Sequence, residues 1–373
     1  MRVVVFCHSL LSDWNHGNAH FLRGVATELK LRGHEVDVYE PLDAWSIRNL
    51  MADHGEAPLR RFREVYPELS STRYDPGTLD LDRALRDADM ALVHEWNDPE
   101  LVRRLGVHRA KKGGYALLFH DTHHRAITDP GAMAGYDLRY YDGVLAFGSV
   151  LRDLYLERGW AKRAWTWHEA ADTRIFHYIP YLDCEGDVVW IGNWGDGERT
   201  AELEEFLLGP VREMKLKARV HGVRYPEEAQ RALAAAGIEY RGWLPNYEAP
   251  EVFARFRATV HVPRRPYVEA LRGIPTIRMF EALACGIPLV SAPWEDSECL
   301  FEPGKDFLAA ADGREMKQHL SALMEDRGMA RQIALHGRQT ILARHTCAHR
   351  AAELLGIAAE LGIAAEAAID VNA

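Results

Sequence analysis

Residues 1–39 read MRVVVFCHSLLSDWNHGNAHFLRGVATELKLRGHEVDVY. The β-branched run Arg2–Cys7 predicts a buried strand. From Ala19 onward the apolar residues fall at helical spacing, and Gly33 stands where a glycine commonly ends a helix. A second strand is predicted at Glu35–Tyr39. Because parallel strands need a crossover connection that is usually a helix, this stretch predicts a parallel α/β sheet.

The alternation of strands and helices continues along the chain and begins a second series near Asp187. At roughly 100–200 residues per domain, 373 residues predict two domains. Further strands are predicted at Met90–His94, Tyr115–His120, Gly143–Phe147, Val188–Ile191, Arg219–His221, Ile238–Arg241, Val260–Val262 and Pro288–Ser291. Further helices are predicted at Pro99–Leu105, Ser149–Arg158, Thr200–Met214, Glu227–Ala236, Pro250–Ala258, Ile277–Cys285, Met316–Arg344 and His349–Leu361. The sequence therefore predicts two Rossmann-like, doubly wound α/β domains with a ligand cleft at the carboxyl ends of the strands.

The amino-acid composition of the chain argues against several classes of function. The net charge is −10 and the pI is about 6.0, so an extended nucleic-acid surface is not expected. The five cysteines form no CxxC pair, which argues against a disulfide framework or a zinc knuckle. The N-terminus does not resemble a signal peptide, and no apolar run reaches the ~20 residues that cross a bilayer. We expect a cytoplasmic protein with reduced thiols.

The loop GNWGDGER, Gly192–Arg199, follows a predicted strand and precedes a predicted helix. Glycines let a backbone approach phosphate, and a helix N-terminus favours anions. Gly192 and Asn193 could therefore contact a phosphorylated ligand, with Arg199 adding a charged hydrogen bond. An ordinary strand-to-helix turn is the alternative. The spacing fits neither a dinucleotide fingerprint nor a P-loop.

Two N-terminal segments also carry candidate site residues. HDTHHR, His120–Arg125, directly follows a predicted strand, and the alternatives there are a ligand site, a metal site or a turn in which Asp121 caps the next helix. A zinc site needs a ligand spacing that is not visible, so no metal is expected. His16-Gly17-Asn18 precedes the first helix. Asn18 suits a helix N-cap, and Gly17 would equally let a substrate approach.

The C-terminal half contains GIPTIRMFEALACGIP, Gly273–Pro288. Small residues at Ala284 and Cys285 permit close packing of the predicted helix on the sheet. Glu281 in this helix could accept hydrogen bonds from two vicinal ribose hydroxyls if it faces a cleft. A solvated surface glutamate is the alternative.

The chain resembles GT-B glycosyltransferases related to family 4, over about residues 1–360. The resemblance is specific in the C-terminal half. The sequence GIPTIRMFEALACG, together with FHDTHHR upstream of it, is most similar to the CgeB-like spore-maturation group. The motifs that carry it are EALACGIPLVS (Glu281–Ser291), HEAADTRIF (His168–Phe176), GWLP (Gly242–Pro245), LFEPGKD (Leu300–Asp306) and RHTCAHRAAELL (Arg344–Leu355). The implied fold is GT-B, two Rossmann-like domains facing each other across a cleft.

The resemblance also implies domain limits. Residues 1–170 would form the acceptor-side domain and residues 171–345 the domain that binds the nucleotide sugar. Residues 346–373 would form a C-terminal helix that crosses back to the N-terminal domain. Trp167–Tyr178 would serve as the hinge.

The implied substrate is a nucleoside-diphosphate sugar, with no cofactor. Glu281 would bind the donor ribose, and Arg199 would neutralise the diphosphate, with Arg278 as a second cation. The backbone of Gly273, Ile274, Pro275 and Thr276 would lie near the donor sugar or diphosphate. His120 would lie beside the transferred sugar, with Asp121 next to it.

One departure affects the stereochemistry. The family pattern has a glutamate eight residues before Glu281, where this chain has Gly273. Retention is still expected from the resemblance, with the departing phosphate accepting the proton. Inversion would need a base, for which His16, Asp121 and His123 are the candidates.

The acceptor would be a carbohydrate, a small molecule or a glycan, bound on the side of His16, Gly17, Asn18 and His123. Trp14, Trp45 and Trp96 could stack on a sugar or fill core, and for Trp96 we expect core. Two other functions remain open: a sugar-nucleotide 2-epimerase of the same fold, and a non-catalytic module that binds nucleotide sugars. The sequence leaves the oligomeric state open.

Overall fold

The computed structural model describes residues 1–180, 183–195 and 197–363. Asp196 of the predicted phosphate loop and residues 364–373 of the predicted C-terminal segment lie outside the described residues. The chain divides into two compact units. The first contains Met1–Glu169 and the segment that begins at Cys347, and the second contains Ala170–Thr346. Each unit holds one parallel sheet, so the predicted α/β class is confirmed.

The first unit alternates strands and helices from its first residues. Its strands are β1 Arg2–Phe6, β2 Glu35–Pro41, β3 Ser71–Tyr74, β4 Met90–His94, β5 Ala116–Asp121, β6 Gly143–Ala146 and β7 Ala164–Thr166. Its helices are α1 Ala19–Leu31, α2 Trp45–His54, α3 Ala57–Val65, α4 Leu81–Ala84, α5 Pro99–Lys112, α6 Arg125–Thr128, α7 Pro130–Ala134 and α8 Ser149–Glu157. The sheet order is β3-β2-β1-β4-β5-β6-β7, with every pair parallel. β4 and β5 are buried along their whole length, as expected for strands covered on both faces.

The second unit repeats this architecture with shorter strands. Its strands are β8 Gly186–Ile191, β9 Ala218–His221, β10 Ile238–Tyr240, β11 Phe256–His261, β12 Leu289–Ser291 and β13 Leu308–Ala309. Its helices are α9 Thr200–Leu203, α10 Gly209–Met214, α11 Glu227–Ala235, α12 Ala249–Phe253, α13 Arg265–Glu269, α14 Ile277–Cys285, α15 Gly313–Glu325 and α16 Arg327–Arg344. The sheet order is β10-β9-β8-β11-β12-β13, again all parallel.

Two predicted helices of the second unit differ from the structure. The helix predicted at Thr200–Met214 contains a π-helical turn at Glu204–Leu208. Pro210 follows this turn, and a proline has no N–H for the regular helical bond, so the ladder is interrupted there. The helix predicted at Pro250–Ala258 is wrong at its end, because Phe256–Ala258 already belong to β11. The buried pattern of that strand fits either periodicity over so short a run.

The last helix, α17 Cys347–Glu360, belongs to the first unit, where it packs against α1. Arg32 donates a 2.8 Å hydrogen bond to the carbonyl of Ala348. The Trp167 indole donates to the carbonyl of Arg350, and the Arg350 Nε donates to the carbonyl of His168. The first unit is therefore built from two separate stretches of sequence.

Two general features concern the described residues. All five cysteines are free thiols. Among residues 1–180, 183–195 and 197–363, no helix has the length and apolar character that crossing a membrane requires.

Candidate functional site

The first sheet changes direction between β1 and β4. These strands are neighbours, although the chain continues from β1 towards one edge of the sheet and from β4 towards the other. Ligands of open α/β sheets bind outside the carboxyl ends of the strands at such a point. The segments that follow β1, β4 and β5 carry a concentration of histidines, carboxylates and tryptophans.

Four buried histidines form a row along this edge. Ring centroids lie 5.5 Å apart between His8 and His16, 6.0 Å between His16 and His94, and 5.4 Å between His94 and His120. The His120 ring also contacts Trp167 at 4.8 Å. Burial lowers the pKa of all four imidazoles, to about 4 for His8 and about 3 for His120. The row is therefore neutral at pH 7.

Several polar atoms in and beside this row have no hydrogen-bond partner within the described part of the chain. They are His16 Nε2, Asn18 Oδ1, His94 Nδ1 and His120 Nε2. The amide nitrogen of Asn18 donates to Glu169 at 3.0 Å. Neutral imidazoles and amide oxygens suit hydroxyl groups or water as partners. This edge of the first unit can thus bind hydroxyl groups through neutral side chains.

A second group contains two carboxylates beside the row. Glu95 is fully buried and forms an ion pair with Arg125. Asp121 accepts a 2.8 Å hydrogen bond from the Tyr155 hydroxyl and a 3.0 Å bond from the His123 backbone. Burial raises the pKa of both carboxyl groups, and the charge of Asp121 raises the pKa of Glu95 further, while Arg125 lowers it. Both oxygens of Asp121 are occupied by donors.

The predicted residues of the first unit fall into two sets. His16, Asn18, His120 and Asp121 lie at this edge, and Asn18 does not cap α1 through its side chain. His123 is half-buried, with its ring 5.1 Å from that of Trp96, and Gly17 is exposed. His8, His94, Glu95 and Arg125 also lie here, although they were not predicted as site residues. Their positions in the sequence could have indicated them, because each immediately follows or ends a predicted strand or belongs to the HDTHHR motif.

In the second unit the loop after β8 is held by Arg199. Its Nε donates to the carbonyl of Asn193 at 3.1 Å, its Nη2 contacts the same oxygen, and its Nη1 donates to the carbonyl of Val262 at 3.1 Å. The guanidinium also lies 5.0 Å from the centroid of the Trp190 ring. The side chain of Asn193 accepts a 2.8 Å bond from the Val223 backbone. Arg199 thus ties the loop to the carboxyl end of β11.

The turn before α14 is tightly packed at its first residue. Gly273 has φ +88°, and a Cβ there would lie 2.6 Å from Ser297 Oγ and 2.8 Å from Glu298 Cγ. A glutamate at this position would therefore be strained by its backbone and would collide with its neighbours. The departure from the family pattern is thus built into the turn. Glu298 has its carboxylate near the space that the missing side chain would enter.

Glu281 lies on α14 and is completely buried. Its Oε2 forms an ion pair with Arg278 one turn earlier, whose side chain is 19% exposed. The alternative of a solvated surface glutamate is wrong. A buried carboxylate next to a partly exposed guanidinium supplies an acceptor and a cation within one helix turn.

Thr276, the residue before α14, is connected to both neighbouring strands through His261. His261 Nε2 lies 3.0 Å from Thr276 Oγ1, and its Nδ1 lies 2.9 Å from Ser291 Oγ. Burial lowers the pKa of His261 to about 3, so the ring is neutral. His261 ends β11. In the sequence it could have been noticed as a polar residue inside an otherwise apolar predicted strand. It fixes the start of α14, where N–H groups lack partners within the helix.

The HDTHHR segment gives no sign of a metal site. Across the described ranges 1–180, 183–195 and 197–363, no three histidine, cysteine, aspartate or glutamate side chains are placed to hold a metal ion.

Comparison with known proteins supports a transferase. Residues 199–356 match the family described as glycosyl transferase-like, a stretch that includes Arg199, Gly273 and Glu281. No curated protein sequence matches the chain.

Solved structures match nearly the whole chain. Sucrose-phosphate synthase from Thermosynechococcus elongatus is 12% identical with a TM-score of 0.65, covering 98% of this chain and 100% of its own. HepE from Anabaena, in complex with UDP and glucose, is 13% identical with a TM-score of 0.68, covering 96% of this chain and 100% of its own. This chain has the GT-B fold. An α-glucosyltransferase in complex with UDP and a 13-mer DNA is also similar, at 12% identity, with a TM-score of 0.68 and coverage of 96% and 99%.

Proposed function

We propose that this GT-B protein transfers a sugar from a nucleoside-diphosphate sugar to a hydroxyl acceptor, with retention and without a metal. The observation that carries the proposal is the buried Glu281 on α14, paired with Arg278 behind the Gly273–Thr276 turn. A carboxylate there is an acceptor for the two ribose hydroxyls. The UDP complexes of HepE and of the α-glucosyltransferase favour a uridine nucleotide. Membership of the CgeB-like group stays a prediction.

The charge that develops on the leaving diphosphate needs fixed cations and backbone donors. Arg278 is the better candidate for the cation, because the three guanidinium nitrogens of Arg199 bind backbone carbonyls. We assign Arg199 the role of holding the Gly192–Asn193 loop in place. The free N–H groups at the start of α14 add positive potential for the phosphates.

The first unit supports retention. Asp121 has donors on both carboxylate oxygens, and His16 is neutral and buried. His123 is the remaining candidate base, and it stacks on His124 at 4.0 Å. Because Asp121 already accepts hydrogen bonds on both oxygens, we take the departing phosphate as the base. His120, at the end of β5, is then placed to hydrogen-bond sugar hydroxyls as a neutral imidazole.

The test of the donor site is a binding titration with UDP and UDP-sugars. Because hydrogen bonds to a charged group are worth roughly 1.5–3 kcal/mol, Glu281→Gln should weaken binding about 10- to 100-fold. The control is Glu302→Gln, which removes an exposed i,i+3 ion pair with Lys305 elsewhere in the same unit. Equal affinity for wild type and Glu281→Gln would reject the donor site.

The stereochemistry of the transfer is tested by NMR of the product, which gives its anomeric configuration. Retention gives the donor's anomeric configuration in the product. An inverted product would require a base and overturn the retaining step. Epimerised donor without transfer would identify an epimerase, and binding without turnover would identify a binding module.

A further inference from the structure

The first unit contains a pocket that the roles assigned above do not use. It lies at the carboxyl ends of β1, β2, β3 and β4, beside the change of direction in the sheet. Its volume is about 470 Å³. Small-molecule sites typically have roughly 300–1,000 Å³, so the pocket has room for a ligand of one or two sugar rings.

Aromatic rings form much of the pocket wall. Trp45 and Trp96 line it, both half-buried, with ring centroids 6.4 Å apart and planes at 76°. Tyr74 and Tyr136 also line it. The two indoles therefore present flat apolar faces at nearly a right angle. The carbon–hydrogen face of a pyranose ring is apolar while its rim is polar, and a flat indole matches such a face.

The charges of the lining residues balance. The lining contains two arginines, Arg48 and Arg125, and two aspartates, Asp43 and Asp98, so its formal charge is zero. Arg125 stacks on the Trp96 ring at 4.0 Å and is also paired with the buried Glu95. Burial lowers the pKa of His8 to about 4, so this lining residue is neutral. A lining without net positive charge, in a chain of net charge −10, does not select a phosphate or a polyanion.

Two polar side chains of the lining are held in fixed orientations by the protein. The buried Asn97 donates to the carbonyls of Phe6 and His94 and accepts a 3.3 Å hydrogen bond from the Tyr74 hydroxyl. Ser46 donates its backbone N–H to His8 Nε2 at 3.3 Å, which fixes the tautomer of the His8 imidazole. His8 also contacts the histidine row through His16, at 5.5 Å between ring centroids. The pocket thus borders the unpartnered nitrogens of that row.

From these observations we infer that the pocket is the acceptor subsite and that it takes an uncharged saccharide, stacked on Trp45 and Trp96. The assignment as an acceptor subsite rests on the proposed function, whereas the class of ligand rests on the pocket alone. Trp45 is a specificity-determining residue of this subsite. Nucleic acid and phosphorylated acceptors are disfavoured by the balanced charge.

The experiment is saturation-transfer-difference NMR on the full chain without donor. The probes are neutral disaccharides, the same sugars carrying a phosphate, and a short DNA duplex, each at millimolar concentration. The expected result is saturation transfer to neutral disaccharides, with an affinity about tenfold lower in Trp45→Leu because this variant loses the flat indole face. Trp160→Leu is the matched control, because Trp160 is another half-buried indole of the first unit outside the pocket.

Three outcomes overturn the inference: no transfer to any neutral sugar, binding that Trp45→Leu leaves unchanged, or tighter binding of the phosphorylated sugars or DNA that depends on Arg48. A titration with UDP of wild type and Glu281→Gln tests the donor site separately. Sugar binding that depends on Trp45, together with equal UDP affinity of the two proteins, would reject the proposed donor site and leave the saccharide pocket standing. UDP binding that depends on Glu281, without sugar binding, would do the reverse.

Discussion

Single residues decide where this chain departs from its relatives. Gly273 occupies a position where the family pattern has a carboxylate, and its left-handed φ of +88° explains why a longer side chain is absent. Gly304 has nearly the same conformation, with φ +87°, but no atom lies within 4 Å of its would-be Cβ. Substitutions at the two glycines can therefore separate the cost of backbone strain from the cost of collision with neighbouring atoms.

We expect Gly304→Ala to cost about 1–2 kcal/mol of unfolding free energy, which is the price of a left-handed backbone for a residue with a Cβ. Gly273→Ala should cost about 2–4 kcal/mol, because collision with Ser297 and Glu298 adds to that strain. Chemical denaturation followed by tryptophan fluorescence measures both. Equal losses would show that Ser297 and Glu298 move aside freely.

The pairing of Glu281 and Arg278 was only partly predictable from sequence. The helix was predictable because apolar residues recur at helical spacing and Gly286 ends it with φ +67°. Burial of Glu281 was not predictable, because the same spacing also fits a surface glutamate. The histidine row was harder still. His94 and His120 are far from His8 and His16 in sequence, and the four meet only because β1, β4 and β5 are neighbours in the sheet.

At the scale of elements, most strands were predicted, including the three-residue β10 and β12, whereas β3 and β7 were missed. β1 and β4 stand out because nearly every residue is apolar and buried. β3 has only four residues, two of them exposed, and β7 has only three. Such runs carry no periodicity, and hydrogen bonds to an existing sheet edge determine that they are strands.

Helix α16 illustrates packing that a pattern does not reveal. Gly337 lies where α16 packs against α14, and a Cβ there would lie 2.6 Å from the Asp306 carbonyl oxygen and 2.8 Å from Leu283. Gly356, in the exposed face of α17, has nothing within 4 Å. Both glycines are inside helices, so both substitutions by alanine gain helix propensity, and only Gly337 meets a backbone.

We expect opposite signs for the two variants. Gly356→Ala should stabilise the protein by about 0.5–1 kcal/mol, the usual difference between glycine and alanine inside a helix. Gly337→Ala should destabilise it, because overpacking typically costs about 1–3 kcal/mol. Circular dichroism during thermal unfolding compares the two. A stabilised Gly337→Ala would mean that α14 and α16 separate at little cost.

At the scale of the molecule, the first unit depends on α17. Arg350 is 3% exposed and donates to the carbonyl of His168, while its Nη1 pairs with the more exposed Glu353. Arg350→Ala removes a buried donor and leaves that carbonyl without it. Glu353→Gln is the matched control, because it removes only the ion pair, which is worth about 0–1 kcal/mol at a surface.

We expect Arg350→Ala to raise amide hydrogen exchange in α17 and in residues 165–169. Loss of a buried hydrogen bond costs about 1–3 kcal/mol, which corresponds to roughly 5- to 150-fold faster exchange by local opening. Peptides from β8 and β11 serve as the internal reference. An equal effect of Glu353→Gln would contradict the assigned role of the His168 contact.

The two-segment construction of the first unit has a consequence for biosynthesis. A ribosome delivers β1 to β7 first, then the whole second unit, and only afterwards the helix that covers α1. The second unit is continuous in sequence, so it can complete its fold while the first still lacks α17. During that interval the apolar face of α1 that α17 later covers is open to chaperones or to wrong partners. That face of α1 therefore stays uncovered until α17 has emerged from the ribosome.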